Sequence, residues 1–158
     1  MPQRDGTTNS ITILMADDDE EDRELTREAL EAGHLVNEIR FVGDGQELMD
    51  YLRAQGPYGP PAAPPPRPGI ILLDLNMPKK DGREALAEIK ADARLRQIPV
   101  VVLTTSRDDE DVVRSYDLGV NSFITKPVTF SSLVNVMSAW RSYWFEIVEL
   151  PGGSEHYA

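Results

Sequence analysis

Five short aliphatic and β-branched runs recur along this chain, each ending in a polar break that leads into residues at helical spacing. They are ITILMA (11–16), EIRFV (38–42), GIILLDL (69–75), PVVVLTT (99–105) and NSFIT (121–125). The strongest of them are apolar at successive rather than alternate positions, the pattern of strands covered on both faces. Such strands alternating with helices form a parallel sheet flanked by helices on both sides. Right-handed crossovers then leave few topologies, and the doubly wound open sheet is the natural one. The expected fold class is therefore α/β, with five parallel strands in (βα)5 order.

The intervening segments agree. Asp19 looks like an N-cap, Asp22 belongs to the acidic first turn that follows, and Leu25, Ala29 and Leu30 come at helical spacing before Gly33 closes the helix. QELMDYLRAQ carries Leu48, Tyr51 and Leu52 on one face, and REALAEIKADARL turns Leu86, Ile89 and Leu95 inward. RDDEDVVRSYDLG (107–119) opens on acids and closes on glycine, and TFSSLVNVMSAWRSYWFEIV (129–148) is a long apolar-rich helix. GPYGPPAAPPPRPG (56–69) can neither continue a helix nor join a central strand. It reads as a surface loop with polyproline II character, with a proline-binding partner as the alternative.

At 158 residues the chain has the length of one domain. It contains no cysteine, which excludes disulfides, thiolate metal sites and a thiol nucleophile, and fits a reducing compartment. No apolar run approaches a membrane span and the first ten residues have no hydrophobic signal region, so the expected location is the cytoplasm. Sixteen basic against twenty-seven acidic residues give a net charge of −11, which argues against a nucleic-acid ligand.

Ligands of open α/β sheets bind beyond the carboxyl ends of the strands. Here the first strand ends in Asp17 and Asp18, the third in Asp74, the fourth in Thr104 and the fifth in Lys126. Any one of these alone reads as a cap or turn former; together they describe a site. Three neighbouring carboxylates repel one another unless a cation intervenes. Mg2+, with its preference for carboxylate, carbonyl, water and phosphate oxygens, removes that cost. With Lys126 added, the formal charge is close to neutral, an arrangement suited to receiving a negatively charged, oxygen-rich group. One carboxylate can then act as a nucleophile towards phosphorus.

The segments ILMADD, ILLDLNMPKKDG, VVLTT and FITKP, in this order and at strand ends, resemble the receiver domain of two-component response regulators over residues 11–148. That resemblance implies a flavodoxin-like receiver fold, with residues 1–10 a flexible N-terminus and 149–158 a tail. It makes Asp74 the phosphoacceptor. Asp17 and Asp18 would hold Mg2+, with Asp74 and the backbone carbonyl of Asn76. Thr104 and Lys126 would bind phosphoryl oxygens, and Phe123 would be the switch aromatic. It also implies a cis Lys126–Pro127 bond, a Gly82 that permits the turn after Pro78, and a tuning of dephosphorylation by Asn76 and Ser106.

Three features depart from the family pattern. Thr105 stands where a smaller residue is usual, Leu75 where some receivers carry a tryptophan, and Asp19 adds an acid better read as a cap than as a ligand. The proline-bearing loop and the WRSYWFEIVELP ending look most like the small single-domain regulators paired with bacterial phytochromes. A sensor histidine kinase, in that case a phytochrome, is the implied donor.

With no room expected for an output domain, the signal would pass by protein contact rather than by catalysis. The last helix carries more apolar residues than one sheet face should cover, Phe130 and Val134 among them. Trp140, Tyr143, Trp144, Phe145 and Ile147 are the candidate interface residues. A homodimer through the fourth helix, fifth strand and last helix is the expectation.

Three rivals stand beside this reading. A metal-dependent aspartyl phosphatase would want a second acid where Asn76 stands. A flavodoxin-like carrier would want a phosphate loop in place of DDDEED. A degenerate receiver that binds partners without phosphorylation should have lost an acid, the lysine or the threonine, and none is missing.

Overall fold

The computed structural model describes residues 11–34, 37–105 and 122–137. The elements are β1 (Ile13–Ala16), α1 (Glu20–Ala32), β2 (Ile39–Val42), α2 (Gly45–Arg53), β3 (Ile70–Asp74), α3 (Gly82–Ala91), β4 (Val100–Thr104), β5 (Ser122–Thr125) and α4 (Phe130–Met137). All five strands are parallel, in the spatial order β2-β1-β3-β4-β5. This is the doubly wound sheet expected from the strand pattern, and the flavodoxin-like receiver fold that the resemblance implies.

The two faces of the sheet build separate cores, because successive strand residues point to opposite sides. Leu14, Ala16, Ile71, Leu73, Val100 and Val102 face α2 and α3 through Leu48, Met49, Leu86 and Ile89. Ile13, Met15, Ile70, Leu72, Val101 and Leu103 face α1 and α4 through Leu30, Leu133 and Val136. Strands β1, β3 and β4 are fully buried along their length, which is why their sequences read as continuous apolar runs.

The helix ends follow their local chemistry. The Asp19 side chain caps α1 by accepting from the backbone of Glu21 and Asp22, and Gly33 closes the helix. Asp44 caps α2, and Asp81 forms a reciprocal capping box with Glu84 at the start of α3. In the proline-rich segment, Gly56–Tyr58 forms one 3-10 turn. Tyr58 packs edge-on against Tyr51 and donates to Glu47, while Tyr51 donates to the Pro66 carbonyl at 2.8 Å. The loop is therefore tied down to α2 at two points.

Several expectations need correction. Leu25 is 39% exposed, and α1 instead turns Thr26 and Leu30 inward. The Thr26 hydroxyl satisfies itself on the Asp22 carbonyl, so a polar residue occupies a core-facing position at little cost. Helix α3 stops at Ala91 rather than running to Leu95, which is reached through the following turns and is still buried. Phe130, counted in the surplus apolar arc of the last helix, packs into the core face shared with α1. Its ring fills the space that a side chain at Gly33 would need. The helix expected over 107–119, Ser106, and the interface candidates Trp140, Tyr143, Trp144, Phe145 and Ile147 lie outside the described residues.

Candidate functional site

The strand order decides what meets at the carboxyl edge. β1 and β3 are neighbours at the point where the chain reverses its direction of winding, so the ends of these strands open into the crevice that such sheets use for ligands. Asp17 follows β1 directly and is held there by its backbone N–H on the Val42 carbonyl. Asp74 is the last residue of β3. Lys126 follows β5 and donates its backbone N–H to the Thr104 carbonyl at the end of β4.

Ligand oxygens of Asp17, Asp18 and Asp74 all lie within 4.8 Å of one another. Asp17 is fully buried, Asp74 is 7% exposed, and Asp18 faces solvent. The Lys126 ammonium stands against this cluster, 3.2 Å from Asp74 Oδ2, 2.9 Å from Asp17 Oδ2 and 2.7 Å from Asp22 Oδ2. The approaches to Asp74 and Asp22 are hydrogen bonds. That to Asp17 is an ion pair, and Asp17 Oδ2 is buried without a hydrogen-bond partner. A buried carboxylate oxygen with no hydrogen-bond partner, beside two further carboxylates, fits the donor set that a hard divalent cation takes.

The electrostatics point the same way. The Asp17 carboxyl is raised to about 6, chiefly by burial and also by the Asp74 charge, against the opposing pull of Lys126 and the Asp19 amide. Lys126 is displaced the other way. Burial disfavours its charge, but its contacts with Asp22 and Asp17 and the field of Asp74 outweigh that and raise its pKa.

Supporting contacts fix the rim. Asp74 Oδ1 accepts from the Asn76 amide at 3.1 Å, and Asp17 Oδ1 from the Asp19 amide at 2.9 Å. Arg23 Nε donates to the Asp17 carbonyl while its guanidinium lies over the Phe41 ring. At Gly82 an added Cβ would stand 2.7 Å from Leu75 Cα and closer still to the Asp74 carbonyl oxygen. Only glycine lets the start of α3 approach the acceptor strand so nearly; the reason is close packing rather than an unusual backbone angle. The Lys126–Pro127 bond is cis.

Thr104 is buried at the end of β4, and Phe123 is half-buried against the core face formed with α2 and α3. Asn76 is exposed beside Asp74. The edge thus brings together Asp17, Asp18, Asp74, Asn76, Thr104 and Lys126. Asp22 was assigned only to a helix turn by sequence reasoning, yet it makes the shortest contact to Lys126. Its signal is its third place after the Asp19 cap, which turns it back towards the strand ends.

A cleft of about 430 Å3 lies at the other end of the sheet, lined by Tyr51, Arg53, Pro64, Pro66, Arg67, Arg94 and Ile98 among others. Among the described residues, the one group of acids with metal-ligand spacing is Asp17, Asp18 and Asp74 at the carboxyl edge.

The response regulator receiver domain family matches residues 13–138. The chain is a member of that family. Response regulator Rcp1 of Synechocystis sp. is 45% identical over 139 residues, covering 88% of this chain and 92% of that protein. Among solved structures, the bacteriophytochrome response regulator AtBRR superposes with a TM-score of 0.79 at 41% identity, over 89% of this chain and 99% of that one. The phosphorylated cyanobacterial phytochrome response regulator RcpA follows at 0.66 and 45%, over 85% and 94%. An Mn2+-bound form of Rcp1 gives 0.66 and 44%, over 89% and 99%. Among the described residues of this receiver, no helix is long and apolar enough to cross a membrane.

Proposed function

We propose that this receiver takes a phosphoryl group onto Asp74 from a sensor histidine kinase of the phytochrome type and signals by protein contact. The observation that carries the proposal is the convergence on Asp74: a nearly buried carboxylate with two further acids within ligand distance and an ammonium at 3.2 Å. A structural cap would need none of this company. The phytochrome assignment is supported by the likeness to AtBRR and RcpA, and the role of a divalent cation by the Mn2+-bound form of Rcp1.

In the reaction, an Asp74 carboxylate oxygen attacks the phosphorus of a phosphohistidine. The new O–P bond forms as the P–N bond breaks, and the departing imidazole nitrogen keeps the electron pair and takes up a proton. Asp17, Asp18, Asp74 and the Asn76 carbonyl would hold Mg2+, which when bound neutralises charge on the transferring oxygens. Lys126 offers its ammonium to another of those oxygens, and Thr104 offers its hydroxyl. The backbone bond from Lys126 to Thr104 keeps these two groups in register. Phe123, paired in register with Val102 two positions before Thr104, is the aromatic that would change position when the hydroxyl moves towards the phosphoryl group. Asn76 and Ser106 would tune the lifetime of the product, as the family resemblance implies.

The test is intact-mass spectrometry after incubation with acetyl phosphate, with and without Mg2+, on the wild type and Asp74→Asn. One phosphoryl adduct that requires both Mg2+ and Asp74 is expected. If neither an adduct nor a beryllofluoride complex forms, the chain is instead a receiver that binds partners without phosphorylation.

The same reading includes a cytoplasmic homodimer through residues 107–119, β5 and the last helix, with Trp140, Tyr143, Trp144, Phe145 and Ile147 in the contact. The apolar composition of that stretch supports it. Sedimentation equilibrium of the full chain should give twice the monomer mass, and Trp144→Glu should return it to a monomer.

A further inference from the structure

We infer that Asp22 is a positioning residue: it anchors the Lys126 ammonium at the acceptor site independently of the metal and of the state of Asp74. The inference rests on the assignment of Asp74 as acceptor, but its decisive readout does not.

The Lys126 ammonium stands within ion-pair distance of three carboxylates, Asp74, Asp17 and Asp22, and hydrogen-bonds two of them, Asp74 and Asp22. Two of these partners are committed elsewhere. Asp17 and Asp74 belong to the cluster whose oxygens lie at metal-ligand spacing, and Asp22 does not. A cation bound there draws on the two carboxylates that otherwise neutralise the lysine, and repels the ammonium as well. Phosphorylation would further consume an oxygen of Asp74. Asp22 alone retains its full charge for Lys126 through each of these states.

Local geometry shows why Asp22 is available for this role. It occupies the third position of α1, from which an acidic side chain commonly turns back to the amide of the N-cap residue. Here that amide, on Asp19, is already donated to Asp17 Oδ1. The Asp22 side chain instead extends to Lys126, 2.7 Å away and 104 residues along the chain. Its neighbour Arg23 does not compete, because that guanidinium serves the Asp17 carbonyl and the Phe41 ring. The Asp22 side chain is 23% exposed and that of Lys126 is 13% exposed, so the pair is shielded from solvent more than an ordinary surface ion pair.

The ammonium can be observed directly. The chain has only four lysines, so a 15N spectrum of side-chain NH3+ groups is sparse, and a firmly held ammonium gives a slowly exchanging peak. Lys126→Met assigns the peak. In wild type it should persist when Mg2+ is raised to saturation. In Asp22→Asn, which keeps shape and removes charge, it should be present without Mg2+ and lost on saturation. Asp22→Glu should restore it, and Asp22→Ser serves as a second charge-free variant if Asn impairs folding. Acceptance of phosphate from acetyl phosphate at saturating Mg2+ should fall roughly tenfold in Asp22→Asn, the size of one charge-assisted hydrogen bond.

A Lys126 peak in Asp22→Asn unchanged by Mg2+, or no such peak in the wild type, overturns the anchor. Absence of any wild-type phosphoryl adduct overturns the acceptor assignment instead, and leaves the spectra to decide the anchor.

Discussion

Asp17 shows how one residue sets the behaviour of the site. Its carboxyl lies at about 6 because burial disfavours the charge, well above the ordinary carboxylate value. The folded, metal-free protein therefore binds a proton there that the unfolded chain has already released. The associated stability is present below the ordinary carboxylate range and is lost as pH rises through about 6. Proton and metal also compete for the same oxygens. Calorimetric titration with Mg2+ should accordingly give nearly constant affinity above pH 7, and an affinity falling up to about tenfold per pH unit below 6. Asp17→Asn removes both effects: metal-free melting temperature should rise, since a neutral amide is buried in place of a carboxyl whose charge burial disfavours, and Mg2+ binding should be lost. Gly82 is the second residue with a sharp consequence. Gly82→Ala puts a methyl group against the backbone of Leu75 and Asp74, so denaturant unfolding should show a loss of about 1–3 kcal/mol, with slower phosphorylation.

At the scale of elements, α1 separates two roles that its acids share in sequence. Asp19 is a cap whose oxygen accepts from two amides, whereas Asp17 and Asp18 face the cluster. Asp19→Ala should lower stability by about 1 kcal/mol in a denaturant titration and leave Mg2+ affinity unchanged. The proline-rich segment is the other instructive element. Its composition indicates a loop, but its anchoring is tertiary: Tyr51 on α2 reaches the Pro66 carbonyl, and Tyr58 in the loop reaches Glu47 on α2. Tyr51→Phe breaks the bond to the Pro66 carbonyl and should cost about 1 kcal/mol. Phosphorylation by acetyl phosphate should be unaffected, because that contact lies at the end of the sheet remote from Asp74.

The whole molecule couples these parts through strand order. Because β1 lies between β2 and β3, and β4 lies between β3 and β5, acids, threonine and lysine from four separate chain segments reach one edge. Mg2+ bound there as proposed would draw on residues at the ends of both β1 and β3, which only the folded chain brings together. At a Mg2+ concentration a hundred times its dissociation constant, the stabilisation should be about 2.7 kcal/mol, readable as a rise in melting temperature. Asp74→Asn should reduce that rise.

The sequence by itself determined the class of fold, the strand cores and the edge where chemistry collects. Strands buried on both faces are written as unbroken apolar runs, and a charged residue closing such a run is conspicuous. It also marked the caps at Asp19 and Gly33, since these answer to backbone groups a few residues away. Tertiary structure decided the rest. Helical periodicity specifies a spacing but not the phase against a neighbour, so Leu25 turned outward, Thr26 inward, and Phe130 found the gap above Gly33. Within the segment DDDEED the third place after the Asp19 cap marks Asp22 as the acid turned back towards the strand ends, but nothing local names the residue that it meets. That choice was made when the chain brought β5 beside β4 and the third residue of α1 came to face the lysine, a contact local sequence cannot encode because its two halves are joined only by the folded sheet.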